Sequence, residues 1–140
     1  MPIKYITIHC AATPEGRDIK PKTVDQWGHD RYGQSSYHYI IGLDGTWIAP
    51  LKHIKKGAHV GGHNTDNLGI CYVGGMDAKM IDAKDTRTTA QKRAMRTIIR
   101  TLREKYGEDV IVRGHRDWPN VHKDCPSFDV QEWLEAGMPI

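Results

Sequence analysis

The sequence predicts a single α/β domain, a central mixed β-sheet flanked by helices. Three observations carry that prediction. Short β-branched or apolar runs recur at 3–10, 36–42, 68–73 and 110–113, each the length of a strand. A long amphipathic segment at 89–106 and two shorter helical ones are interspersed with them without strict alternation, which favours a mixed sheet over a uniformly parallel one. The 140 residues are enough for one domain with a buried core, and no repeat, low-complexity tract or linker divides them.

The elements follow in order. Residues 3–10 alternate, with Ile3, Tyr5, Thr7 and His9 on one side and Lys4, Ile6, Ile8 and Cys10 on the other. Thr23 with Gln26 has the spacing of a capping box and predicts a short helix over 24–32, stopped by Gly33. Residues 36–42 read as a second strand. The Leu43-Asp-Gly-Thr46 turn returns the chain into Trp47-Ile-Ala, because Asp-Gly supplies the backbone conformation a tight hairpin needs. Residues 68–73 form an apolar strand bounded by glycines. Thr88 and Gln91 cap the helix at 89–106, where Met95, Ile98, Ile99, Leu102 and Tyr106 make a buried stripe and Gly107 a stop. Residues 110–113 are the last strand. Asp129 with Glu132 opens a final helix that ends near Gly137.

Composition narrows the function. Hydrophobic residues are 39% and charged residues 26%, the balance of a globular protein. No apolar run approaches the ~20 residues of a membrane-spanning helix. The N-terminus lacks the apolar region and cleavage site of a secretory signal, so synthesis in a cytoplasm without a signal peptide is expected. The net charge is +3, and the basic residues are scattered rather than gathered in the stripe of a nucleic-acid binder. No nucleic-acid partner is expected, and the charge suits any polyanion. Three cysteines and no C-x-x-C argue against a disulfide framework. Eight histidines direct attention to a metal.

Three donor residues fall at strand ends or in the loops that follow: His9, His115 and Cys125. Two imidazoles and a thiolate suit zinc, and three protein ligands leave a fourth tetrahedral position open for water. Spacing leaves other sets standing. His59 and His63 form an H-x3-H pair, although Gly57, Gly61 and Gly62 argue against a helix there. His122 with Cys125 is a second rival pair. Cys71 reads as a small buried hydrophobe, and Cys10 points away from His9 on a regular strand.

In chain order the sequence carries Ile8-His9-Cys10-Ala-Ala-Thr13, Ser36-Tyr37-His38-Tyr39-Ile40-Ile41, Asp44-Gly45-Thr46, Gly57-Ala-His59, Asn67-Leu-Gly69-Ile-Cys-Tyr-Val-Gly-Gly75, Arg113-Gly-His115 and Lys123-Asp-Cys125-Pro-Ser-Phe-Asp129. With these blocks it resembles, over roughly residues 5–135, the zinc-dependent N-acetylmuramoyl-L-alanine amidases of the phage T7 lysozyme type, relatives of the peptidoglycan recognition proteins. The resemblance implies an amidase/peptidoglycan recognition protein-like fold, with residues 1–140 as one amidase catalytic domain. It implies Zn2+ held by His9, His115 and Cys125, a catalytic tyrosine at Tyr37 and a catalytic lysine at Lys123.

It also implies peptidoglycan as substrate and hydrolysis of the amide between N-acetylmuramic acid and L-alanine. On this reading Lys123 steadies the developing oxyanion and Tyr37 donates or relays a proton. His59 and Asn64, on the glycine-rich stretch, line the groove and bind the stem peptide or sugar. Trp118 stacks on a sugar or packs its loop. A monomer is expected, made in the host cytoplasm and acting on the wall after release, as phage endolysins do. The alternative is a non-catalytic peptidoglycan-binding module, whose relatives commonly lack the ligand cysteine.

Overall fold

A computed structural model describes residues 2–140. Strand β1, Tyr5–Cys10, runs through the middle of a five-stranded sheet. It pairs in parallel with β5, Asn67–Tyr72, on one side and with β7, Ile111–Gly114, on the other. Strand β3, Tyr39–Ile41, lies parallel to β5, and β4, Trp47–Ile48, closes the edge as an antiparallel hairpin partner of β3. The sheet is therefore mixed, as the sequence predicts. Two short segments, β2 (Thr13–Pro14) and β6 (Gly75–Met76), pair separately beyond the ends of β1 and β5.

Helix α2, Thr89–Tyr106, has the predicted bounds and the predicted capping box, with the Thr88 hydroxyl accepting from Gln91 N–H and the Gln91 side chain accepting from Thr88 N–H. Helix α1 spans Pro21–Tyr32 and begins earlier than the Thr23–Gln26 pattern suggests. Proline has no N–H to lose at the first helical position and a φ already set for it. The start therefore moves upstream, no side-chain cap forms, and Thr23 falls inside the first turn. Gly33 ends the helix in the left-handed conformation (φ 73°). Strand β3 is shorter than 36–42 because the Ser36 carbonyl is taken by Ala58 N–H across a loop. Helix α3, Val130–Glu135, is capped by the Asp129 carboxylate.

Strand alternation sorts β1 onto two buried faces. Ile6 and Ile8, with Leu68, Ile70 and Tyr72 of β5, meet Met95, Ile98, Ile99 and Leu102 of α2. Burial of each such side chain contributes ~1.5–3 kcal/mol. Thr7 and His9 project to the opposite face, where Ile40, Cys71 and Val73 pack on Val24 of α1. That second core is small, and the rest of the face is given to polar side chains.

Candidate metal centre and groove

Sheet register builds the centre. Ile8 of β1 pairs with Gly114, the last residue of β7, so His9 on β1 and His115, which opens the short 3-10 turn after β7, are neighbours. Their ring centroids are 4.6 Å apart. Cys125 arrives from the loop before α3, and its Sγ lies 3.9 Å from His9 Nδ1. One donor atom from each of His9, His115 and Cys125 falls within 4.8 Å of the others. Zinc bond lengths of ~2.0–2.3 Å give a tetrahedral edge of about 3.5 Å, so a small contraction closes this trio on one ion. Among the described residues no other three His, Cys, Asp or Glu side chains gather this way.

The loop that delivers Cys125 is tied down at several points. The Cys10 backbone N–H donates to Cys125 Sγ at 3.2 Å, and Arg116 N–H donates to the Cys125 carbonyl at 2.9 Å. The Tyr72 hydroxyl donates to the Pro126 carbonyl at 2.6 Å, and Ser127 Oγ donates to the Gly75 carbonyl at 2.8 Å. Behind them the buried Arg87 guanidinium lies 3.3 Å from the Phe128 ring centre and forks onto Asp85. Gly114 is required close by, since a Cβ there would sit 2.8 Å from Pro126 Cδ.

Burial, followed by the nearby His59, His115 and Lys123, holds the His9 imidazole well below its ordinary pKa. Burial lowers His115 too, with Lys123 adding to it. Both imidazoles are therefore neutral near pH 7, the form that ligates a metal. The hydrogen bond with the Cys10 thiol, and then burial, push the Cys125 thiol up, so binding a cation there releases a proton.

A groove of about 580 Å³ opens over this trio. Tyr37 and Lys123 line it, as do His59 and Asn64, and Trp27 and Arg31 of α1 form part of its wall. The Tyr37 ring centroid is 5.1 Å from that of His9. Burial, then the neighbouring thiols, raise the Tyr37 phenol well above its ordinary value, so it stays protonated near neutrality and can donate a hydrogen bond. Lys123 is exposed at the groove edge.

The rival ligand sets separate. His63 stacks on Trp118 with ring centroids 4.8 Å apart, neither His59 nor His63 belongs to the trio, and His122 is exposed and outside it. Trp118 packs its loop. It is buried, and its indole N–H donates to Thr7 Oγ1 at 3.1 Å. Cys71 is a buried core residue. His59 differs from the sequence expectation in detail. Its ring is buried, with Nδ1 2.9 Å from His9 Nε2 and Nε2 3.0 Å from the Asn67 carbonyl. Neither nitrogen is free for substrate. Asn64 Oδ1 accepts from the His59 and Val60 backbone N–H groups, which leaves its amide N–H groups for the groove.

Sequence reasoning did not single out Asn67, the Arg87–Asp85 fork or the α1 wall. Only Gly69, an unexplained glycine inside an apolar strand, signals that something lies close against β5.

Residues 1–128 match the N-acetylmuramoyl-L-alanine amidase family. The chain is 38% identical over 133 residues to the endolysin of Enterobacteria phage T3, and 37% identical over 133 residues to that of Escherichia phage T7. In both cases 93% of this chain and 84% of the relative are covered. Among solved structures, the N-acetylmuramoyl-L-alanine amidase LysC from Clostridium intestinale superposes with a TM-score of 0.76 at 24% identity, over 98% of this chain and 85% of that one, a likeness of fold.

Proposed function

Because the chain belongs to the N-acetylmuramoyl-L-alanine amidase family and is a peptidoglycan amidase, we propose that it works as a zinc enzyme through His9, His115 and Cys125. The observation that carries this is the convergence of those three donors, and of no others among the described residues, at the floor of the groove. The donor chemistry fits the ion: two neutral imidazoles and a thiol that a cation would deprotonate. Zinc held there supplies Lewis acidity for the scissile carbonyl and lowers the pKa of water towards ~7.

The chain's own residues supply the rest. The amide cut joins the lactyl carbonyl of N-acetylmuramic acid to the amine of L-alanine. Tyr37, held in its protonated form by burial, donates a hydrogen bond to the developing oxyanion, or relays to the leaving amine the proton that the attacking water gives up. Lys123 brings an ammonium to the same side of the groove. With one thiolate among its ligands the centre keeps a formal charge of only +1, so this second cation adds to the stabilisation of the tetrahedral intermediate. Asn64 offers its amide to the stem peptide or sugar from the groove wall. Residues 1–140 form one catalytic domain that acts as a monomer.

The phage T3 and T7 relatives are endolysins. The same role is proposed for this chain: synthesis in a host cytoplasm, then attack on the wall after release. The test combines metal analysis with a peptidoglycan digest. The purified protein should carry about one zinc, and both Cys125→Ser and chelation should stop release of L-alanine amino termini, while His122→Ala should leave both zinc and activity in place. Undiminished release by Cys125→Ser rejects the zinc assignment. A protein that binds peptidoglycan and releases nothing is the recognition module instead.

A further inference from the structure

We propose that His59 is a positioning residue, which relays a hydrogen bond from the Asn67 backbone carbonyl to fix His9 in the tautomer that turns Nδ1 towards the metal centre. This rests on the reading of His9, His115 and Cys125 as metal ligands.

The argument is one of donors and acceptors. A backbone carbonyl can only accept, so the 3.0 Å contact from His59 Nε2 to the Asn67 carbonyl requires a proton on His59 Nε2. The buried His59 ring has a carbonyl on one nitrogen and another imidazole on the other, with no carboxylate to hold a second proton, so its Nδ1 carries a lone pair. The 2.9 Å contact between His59 Nδ1 and His9 Nε2 then requires the proton on His9 Nε2. The His9 ring is buried too, with no carboxylate among its hydrogen-bond partners, so with the proton on Nε2 its lone pair lies on Nδ1, the nitrogen 3.9 Å from Cys125 Sγ. One carbonyl fixed in the sheet thus determines which nitrogen of a ring two steps away is free to ligate.

The surroundings are shaped for this relay. A Cβ at Gly69 would lie 2.9 Å from His59 Cγ, and one at Gly57 would lie 2.8 Å from His59 Cδ2. Two glycines therefore let the ring lie flat against β5 under His9. Asn64 pins the His59 backbone at 2.9 Å. Asn67 is held by Thr7 Oγ1, which donates to its Oδ1 at 2.8 Å, and by its own donation to the His63 carbonyl, also at 2.8 Å. His59 and Asn67 are both buried, so water does not compete for these bonds.

The experiment reads the tautomer directly. In the metal-free, ¹⁵N-labelled protein at neutral pH, the imidazole nitrogen shifts should report protons on Nε2 of both His9 and His59. His59→Leu removes the acceptor and should give His9 a mixed tautomer population and a zinc affinity lower by ~10–100-fold, the usual loss of such a partner, measured by competition with a chelator. His59→Asn keeps an acceptor oxygen near the position of Nδ1 and should restore the Nε2–H tautomer and most of the affinity. A wild-type His9 protonated on Nδ1 overturns the proposal. So does a folded His59→Leu protein with the wild-type tautomer and zinc affinity. If His59→Leu does not fold, the wild-type shifts and the His59→Asn protein still decide. The tautomer is measured without metal, so a failure of the zinc reading, seen as unchanged zinc affinity in Cys125→Ser, is told apart from a failure of the relay.

Discussion

Taking the metal-free protein from pH 7 to pH 5 should lower its unfolding free energy by about 2 kcal/mol through His59 alone. In the fold this ring is held down to about 3, against an ordinary value of 6.5, chiefly by burial. At pH 5 the unfolded chain binds a proton on His59 that the native protein refuses. Stability therefore rises with pH in this window and falls with acid, by ~1.36 kcal/mol for each unit below the unfolded value. The contribution is complete above 6.5 and is lost progressively down to the folded value. His9, His38 and His115 are also depressed by burial and add loss in the same direction. For a domain whose total stability is ~5–15 kcal/mol, this is a large share. Urea denaturation in EDTA at pH 7, 6 and 5 measures it, and His59→Asn should flatten the dependence by one proton's worth. Superimposable curves at pH 7 and 5 would refute the view that these rings are buried neutral.

Two further outcomes follow from the site. Lys123→Ala should retain bound zinc, since Lys123 is exposed and donates nothing to the trio, yet lose ~10²–10³ in peptidoglycan amide hydrolysis if its ammonium stabilises the oxyanion. Zinc content and release of L-alanine amino termini, measured on the same preparation, separate that from a folding defect. Arg87→Leu leaves Asp85 without its fork and strips the Phe128 ring of its stacked cation. About 1–2 kcal/mol of destabilisation is expected, chiefly from the lost contact of the buried guanidinium with the Phe128 ring, since Asp85 is exposed and its ion pair is screened by water; it is read as a shift of the urea midpoint, and Arg87→Lys should recover little of it, because a lysine lacks the planar fork.

What was legible in the sequence was mostly local. The α2 boundaries, its Thr88–Gln91 capping box and the Gly33 stop are set by residues within a turn of one another, and they appear where the pattern places them. The start of α1 was misread because two local signals compete there, and the proline at 21 overrides the Thr23–Gln26 pair. The trio of His9, His115 and Cys125 was legible by a different route, as ordered motif blocks resembling a known family. Residue spacing alone left His59–His63 and His122–Cys125 standing beside it.

The sequence by itself determined the elements, the α/β class and the residue types able to hold a metal, because alternation, caps and donor chemistry are properties of short stretches of chain. Only the tertiary structure decided which histidines meet. Setting β7 against β1 puts His115 beside His9, and the bare surface of Gly69 on β5 admits the His59 ring beneath it. Those pairings join residues 106 and 50 positions apart in the chain, and their register is set by the buried faces of a whole sheet, which no window of neighbouring residues contains.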